Sequence, residues 1–139
     1  MKHELSFEKL YPQSPEVVWR ALTDSAALGQ WLMENDFEPR PGHCFHFRLK
    51  SRLGFERLIP CQVLKVDEPR LLQYTWGSKG SIVTFRLEAT NGGTRLRLEH
   101  TGFGGVRGHA FGWLLSHGWA RKIHELLPAV LADMAALKG

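Results

Sequence analysis

Between Trp113 and Leu137 apolar residues recur at steps of three and four, at Trp119, Ile123, Leu126, Leu127, Val130, Met134 and Leu137. That spacing lines one face of a helix. Arg121, Lys122, Glu125 and Asp133 fall mostly between them. Pro128 has no amide to bond the carbonyl of His124, and its ring crowds that turn, so a kink or slight break is expected over residues 124–128. Gly118 is expected to allow close packing beside Trp119. An apolar helix face must lie on another layer, and the upstream chain supplies one.

Upstream the period falls to two. His3 to Tyr11 reads as a strand with Leu5, Phe7 and Tyr11 on one face and Lys9 interrupting it. Ser14 and Pro15 then suit the N-cap and first position of a short helix, with Glu16 at its positive end. Asp24 or Ser25 suits the cap of a second helix running to Trp31. Residues 34–42 hold two prolines and a glycine and read as a loop. Alternation resumes at His43 to Lys50, with Phe45, Phe47 and Leu49 on one face and His46, Arg48 and Lys50 on the other. Phe55 to Val66 is a long strand in which Pro60 requires an edge position or a bulge. Leu72, Tyr74 and Trp76, then Val83, Phe85 and Leu87, then Leu96, Leu98 and His100, continue the apolar face. Asn91-Gly92-Gly93 marks a hairpin. Short turns join these strands, which predicts an antiparallel meander with one apolar and one charged face. The expected fold is α+β: a curved antiparallel sheet wrapped around a long C-terminal helix, with two short helices after the first strand.

At 139 residues the length fits one domain, residues 1–139. No apolar run reaches the ~18 residues of a membrane span. The N-terminus shows no signal-peptide pattern. Two cysteines, Cys44 and Cys61, are too few for a disulfide scaffold, and a cytoplasmic setting is expected. The net charge of +4 arises in residues 40–70, where Arg40, Arg48, Lys50, Arg52, Arg57, Lys65 and Arg70 face only Glu56, Asp67 and Glu68. Basic edge strands guarded against aggregation explain this; a docking patch for an acidic partner is the alternative. Nucleic acid is not expected, because no binding motif accompanies the charge.

These elements, in this order, resemble the START-like, helix-grip superfamily, and within it the family related to the C-terminal domain of the activator of Hsp90 ATPase. The opening Ser14-Pro15-Glu16-Val17-Val18-Trp19 with Ala21-Leu22-Thr23-Asp24 and Trp31 carries the resemblance. So do Leu72 to Trp76, Gly93-Thr94 through Leu98 with His100-Thr101-Gly102-Phe103, and Gly118-Trp119 followed by Ile123, Leu126 and Leu127. The resemblance spans nearly the whole chain and implies a sheet around the last helix with an internal cavity, which the superfamily uses for lipids, polyketides and other apolar molecules. The eukaryotic co-chaperone of that family has a separate N-terminal domain that contacts the chaperone. The first strand here starts at the N-terminus, so Hsp90 is not the expected partner.

His100 is the most interesting titratable residue, because alternation turns it towards the cavity with Leu96 and Leu98. It either orients or protonates a ligand, or it is a buried histidine with satisfied hydrogen bonds. Cys44 and His46 share a strand face without His43, which gives two metal ligands where zinc needs three or four, so no metal is expected. Glu34, Asp36 and Glu38 read as a solvated acidic loop rather than an acid/base pair. The run from Gly102 to Gly108 fails as a dinucleotide fingerprint, because the third glycine position is Arg107, and reads instead as a hinge. No nucleophile or cofactor motif stands out. Phe45, Phe47, Tyr74, Trp76, Phe85, Phe103, Trp113 and Trp119 are expected to converge with His100 between sheet and helix, as in an apolar ligand site.

Three functional classes stay open. Binding of a small apolar or aromatic molecule leads. A cyclase, dehydratase or hydrolase using His100, and an interaction module using the basic 40–70 region, are the alternatives, and a homodimer through the meander edge is compatible with each.

Overall fold

The computed structural model describes residues 2–50, 53–78, 80–104 and 118–138. Two-residue periodicity becomes seven strands: β1 (Lys2–Tyr11), β2 (Glu34–Asn35), β3 (Cys44–Lys50), β4 (Glu56–Asp67), β5 (Leu71–Trp76), β6 (Ser81–Thr90) and β7 (Gly93–Gly104). They form one antiparallel sheet in the order β1-β7-β6-β5-β4-β3-β2, curled into a half-barrel. β3 to β7 are the expected meander, and β1 closes onto β7. Phe45, Phe47, Leu72, Tyr74, Val83, Phe85, Leu96 and Leu98 are all buried on the concave face.

Two helices follow β1, α1 (Pro15–Thr23) and α2 (Ser25–Trp31). The Ser14 hydroxyl accepts from the Val17 amide at 3.4 Å, and the Asp24 carboxylate accepts from the Ala27 amide at 2.9 Å. These caps satisfy amides that each helix start leaves unpaired. Trp31 is held by its indole N–H donating to the Ala21 carbonyl at 2.8 Å.

Three details differ from expectation. Residues 34–42 are not all loop, because Glu34 and Asn35 pair with Arg48 and Phe47 as β2. The Asn35 side chain holds this turn, donating to the carbonyls of Ser25 and Met33 and accepting from the Phe37 amide. Pro60 lies in an interior strand, opposite His46 on β3. It is tolerated because the β4–β5 ladder begins only at Val63, so no partner needs the missing amide. β4 also carries an irregularity between Val63 and Lys65. Gly118 has no neighbour within 4 Å of where a Cβ would stand, among the described residues, so close packing does not explain it. Gly93 does: with φ 151°, its Cβ would meet the Tyr11 carbonyl and the Pro12 backbone.

The last helix is helical over residues 118–121 and π-helical over Lys122–Leu126, and continues as α3 (Leu127–Lys138). The expected perturbation is present but falls two residues earlier, as a widened turn. The Leu127 amide bonds the Lys122 carbonyl, five residues back. In that register the Ile123 carbonyl would need the amide of residue 128, which is Pro128. The Tyr11 hydroxyl takes its place, donating to the Ile123 carbonyl at 2.7 Å. The turn therefore moves the unpaired carbonyl from exposed His124 to buried Ile123, where β1 supplies a donor. α3 packs chiefly on α1, and the π-helical turn reaches β1 and α2. Residues 105–117 of the expected hinge and helix start, including Trp113, lie outside the described residues.

Candidate functional site

The concave face carries a continuous aromatic surface. Phe45 and Phe47 come from β3, Tyr74 and Trp76 from β5, Phe85 from β6 and Trp119 from the last helix; each is buried. Ring centroids lie 5.3 Å apart for Phe45–Phe47, 5.0 Å for Phe47–Trp76, 6.1 Å for Tyr74–Phe85 and 5.5 Å for Trp76–Trp119. Seven of the nine expected residues, His100 included, are thus brought together. The Phe103 side chain and Trp113 lie outside the described residues. One member escaped the sequence reading: Phe37, buried, whose ring sits 5.0 Å from Phe45 and 6.0 Å from Tyr74. The only signal for it was a lone aromatic inside a charged, proline-rich loop.

His100 is fully buried, and its hydrogen bonds identify its tautomer. The Trp119 indole N–H can only donate, and it does so to His100 Nδ1 at 3.1 Å. Ser81 Oγ lies 2.8 Å from the Trp76 carbonyl, which can only accept, and 2.9 Å from His100 Nε2. Ser81 must give its one proton to Trp76, so His100 carries its proton on Nε2 and donates it to Ser81. A relay results, from Trp119 through His100 and Ser81 to Trp76. It links the last helix to β5, β6 and β7. Burial lowers the His100 pKa to about 4, so the ring is neutral at pH 7. With its Nδ1 lone pair used by Trp119, His100 acts here as a positioning residue.

Tyr74 is different. Its hydroxyl is buried and has no hydrogen-bond partner among the described residues, in the middle of the aromatic surface. Burial also raises its pKa well above the ordinary tyrosine value, so the group is a neutral O–H donor. Buried polar groups of this kind are few in native proteins and call for a reason. Cys61 is buried beside this region, and its thiol is pushed up to about 12, so it is no thiolate nucleophile at neutral pH.

The other candidates lie on the outside. Cys44 and His46 are exposed, and among the described residues no group of three or more His, Cys, Asp or Glu side chains could hold a metal. The acidic loop is tied to the basic strands: Glu38 pairs with Arg40 at 2.9 Å, and Glu34 with Arg48 at 3.8 Å. Asp36 accepts from the His46 amide at 2.6 Å, and hydrogen bonds together with the His46 charge lower its pKa despite some desolvation. Arg48 also meets Glu56 at 2.6 Å, and Arg70 meets Asp67 at 2.8 Å. Much of the basic 40–70 region is therefore neutralised by its own neighbours. A groove of about 490 Å³ lies on the outer face of the sheet between Arg70, Arg86, Arg95, Arg97, Glu8, Asp67 and Glu88. Arg95 bridges Glu8 and Glu88 across it, and it is separate from the aromatic surface.

A half-barrel sheet, a C-terminal helix and a pair of short helices after the first strand define the START-like, helix-grip class. Within it, the model of the family described as "Activator of Hsp90 ATPase homolog 1-like protein" matches residues 12–132, and the chain belongs to that family. A crystal structure from Mesorhizobium loti is 34% identical over 94% of this chain and 98% of its own, with a TM-score of 0.81. A solution structure from Bacillus halodurans is 30% identical over 93% of this chain and 96% of its own, with a TM-score of 0.78. A Staphylococcus aureus protein of unknown function, 18% identical over 98% of this chain and 97% of its own, shares the fold with a TM-score of 0.86. The comparison with curated proteins finds no match. No helix among the described residues is long and apolar enough to cross a membrane.

Proposed function

We propose that this chain binds a small, largely apolar or aromatic molecule on the concave face of the sheet beneath the last helix, and that the Tyr74 hydroxyl donates a hydrogen bond to its single polar atom. The observation that carries the reading is the buried Tyr74 hydroxyl, without a partner among the described residues. A donor held in an apolar surround discriminates strongly for a ligand that carries an acceptor, because the alternative leaves the donor unsatisfied. The rings of Phe45, Phe47, Trp76 and Phe85 supply the apolar contact such a ligand requires. The His100 relay supports binding rather than catalysis, since among the described residues it ties up the one histidine on this face.

A panel of small aromatic ketones, esters and ethers, with hydrocarbons of matched shape, tests the reading by thermal shift and native mass spectrometry. The expected result is saturable 1:1 binding of acceptor-bearing compounds, weakened about tenfold in Tyr74→Phe, the loss of one buried hydrogen bond. Binding to no compound, or equal binding of the hydrocarbons and of the variant, overturns it.

A further inference from the structure

Tyr74 is enclosed, so a ligand can meet its hydroxyl only after part of the surrounding wall has moved. Among the described residues four rings pack on the Tyr74 ring. They are Phe37, Phe45, Phe47 and Phe85, with centroids 6.0, 5.3, 6.1 and 6.1 Å away. Phe45 and Phe47 belong to β3 and Phe85 to β6, so displacing any of these breaks sheet ladders. Phe37 alone stands outside the ladders, on the connection from β2 to β3. It is the one buried residue between Asp36 and Gly42, and the other six are exposed. On this side the wall between solvent and the Tyr74 ring is one side chain thick.

The segment that carries Phe37 is bonded within itself. Pro39 and Pro41 have fixed φ angles, the Arg40 amide donates to the Glu38 carbonyl at 2.8 Å, and the Arg40 and Glu38 side chains pair at 2.9 Å. Its ties to the sheet lie at the rim. The Asp36 carboxylate accepts from the His46 amide at 2.6 Å. The Arg40 guanidinium, which can only donate, meets His43 Nδ1 at 3.3 Å, so His43 carries its proton on Nε2 and gives it to the Asp36 carbonyl at 3.1 Å. Asn35 Oδ1 accepts from the Phe37 amide at 3.0 Å. At the far end the Gly42 amide donates to the Val63 carbonyl at 2.8 Å. Gly42 has a φ of 85° and nothing within 4 Å of where a Cβ would stand, among the described residues, which leaves a pivot free to turn. We propose that residues 36–41 are a flap over the ligand site: it turns outward about Asn35 and Gly42, withdraws Phe37 from Phe45 and Tyr74, and admits the ligand, with the Asp36–His46 bond setting how often it opens. The purpose of the flap rests on the reading of Tyr74 as a ligand contact; its opening does not.

Cys61 reports opening without any ligand. It is buried and stands opposite Phe45, and the Asp36 carboxylate is near enough to add to the rise of its thiol pKa. In a Cys44→Ser background it is the sole cysteine, and its labelling by methyl methanethiosulfonate is followed by intact-mass spectrometry. The expected result is slow labelling whose rate barely changes with urea below the unfolding transition, the mark of a local opening. D36A should label about tenfold faster, the loss of one charge-assisted hydrogen bond, and F37A at least tenfold faster. R70A, which breaks the exposed pair with Asp67 elsewhere, should label as the parent does. D36A keeps the test decisive where F37A is poorly folded. With an acceptor-bearing compound that binds, stopped-flow measurement should show D36A raising association and dissociation rates together about tenfold, with Kd unchanged. The flap is overturned by labelling that climbs with urea as steeply as global unfolding does, by D36A and F37A labelling no faster than the parent, or by R70A labelling as fast as D36A. Binding at rates that neither variant alters removes the flap and leaves the ligand reading standing. Labelling as expected with no compound bound removes the ligand reading and leaves the flap standing.

Discussion

Tyr74→Phe is expected to make the protein more stable. The hydroxyl is buried without a partner among the described residues, so folding strips it of water and returns no hydrogen bond. That desolvation costs about 1–3 kcal/mol. Phenylalanine removes the cost and keeps the ring against Phe37, Phe45, Phe47 and Phe85, whose centroids lie 5.3–6.1 Å away. The gain should appear in urea unfolding as a midpoint raised by roughly 0.5–1 M at unchanged slope, and as a Tm raised by roughly 3–10 °C. Tyr11→Phe is the matched control. It deletes the same atom, but here the hydroxyl satisfies the Ile123 carbonyl at 2.7 Å. Removing it leaves a buried acceptor unpaired, and the expected change is a loss of about 1–3 kcal/mol. One chemical change at two sites is therefore expected to have opposite signs. Were Tyr74→Phe to destabilise the ligand-free protein by 1 kcal/mol or more, on the order of one hydrogen bond, the hydroxyl would have a partner in the folded chain and the reasoning would fail.

The other expectations concern the frame around the site. Pro128→Ala supplies the missing amide and should restore a regular helical turn, so that Tyr11→Phe costs less in that background; a double-mutant cycle should show about 1 kcal/mol or more of coupling, and none would refute the link. Stability should fall on acidification because of His100. The folded ring stays neutral down to about pH 4, whereas the unfolded chain takes a proton near 6.5. The contribution is therefore complete above 6.5 and lost as pH drops to about 4, about 3 kcal/mol in all. His100→Gln should be less stable at neutral pH yet flatter across that window, and an unchanged slope in unfolding measurements would contradict this. Gly93→Ala should cost about 2–4 kcal/mol through contact with the β1 end, while Gly92→Ala, with nothing within 4 Å of its added Cβ among the described residues, should change little.

The periodic parts of the fold were legible before any coordinates, because period two and period 3.6 are properties of local sequence. The inward sets of β5, β6 and β7, the Ser14 cap and the disturbance at Pro128 all follow from neighbours a few residues apart. Leu131, fully buried, was missed although it lies four residues after Leu127. β2 and Phe37 were not legible, because a two-residue strand has no period and proline-rich sequence reads as loop. The relay through Trp119, His100 and Ser81 joins residues 19 apart on either side of His100, and the Tyr11–Ile123 bond spans 112 positions. Such pairings are set by how the sheet curls and where the last helix lands. Alternation placed Tyr74 on the inner face, but only the surrounding atoms reveal that its hydroxyl is left without a partner.

Xenon pressurisation of crystals of the ligand-free protein tests the central claim most directly, since xenon enters apolar space that water leaves dry. A xenon site on the concave face between Tyr74, Trp76 and Trp119 is the expected result. A core that admits no xenon there, with the rings closed on one another, would contradict binding beneath the last helix.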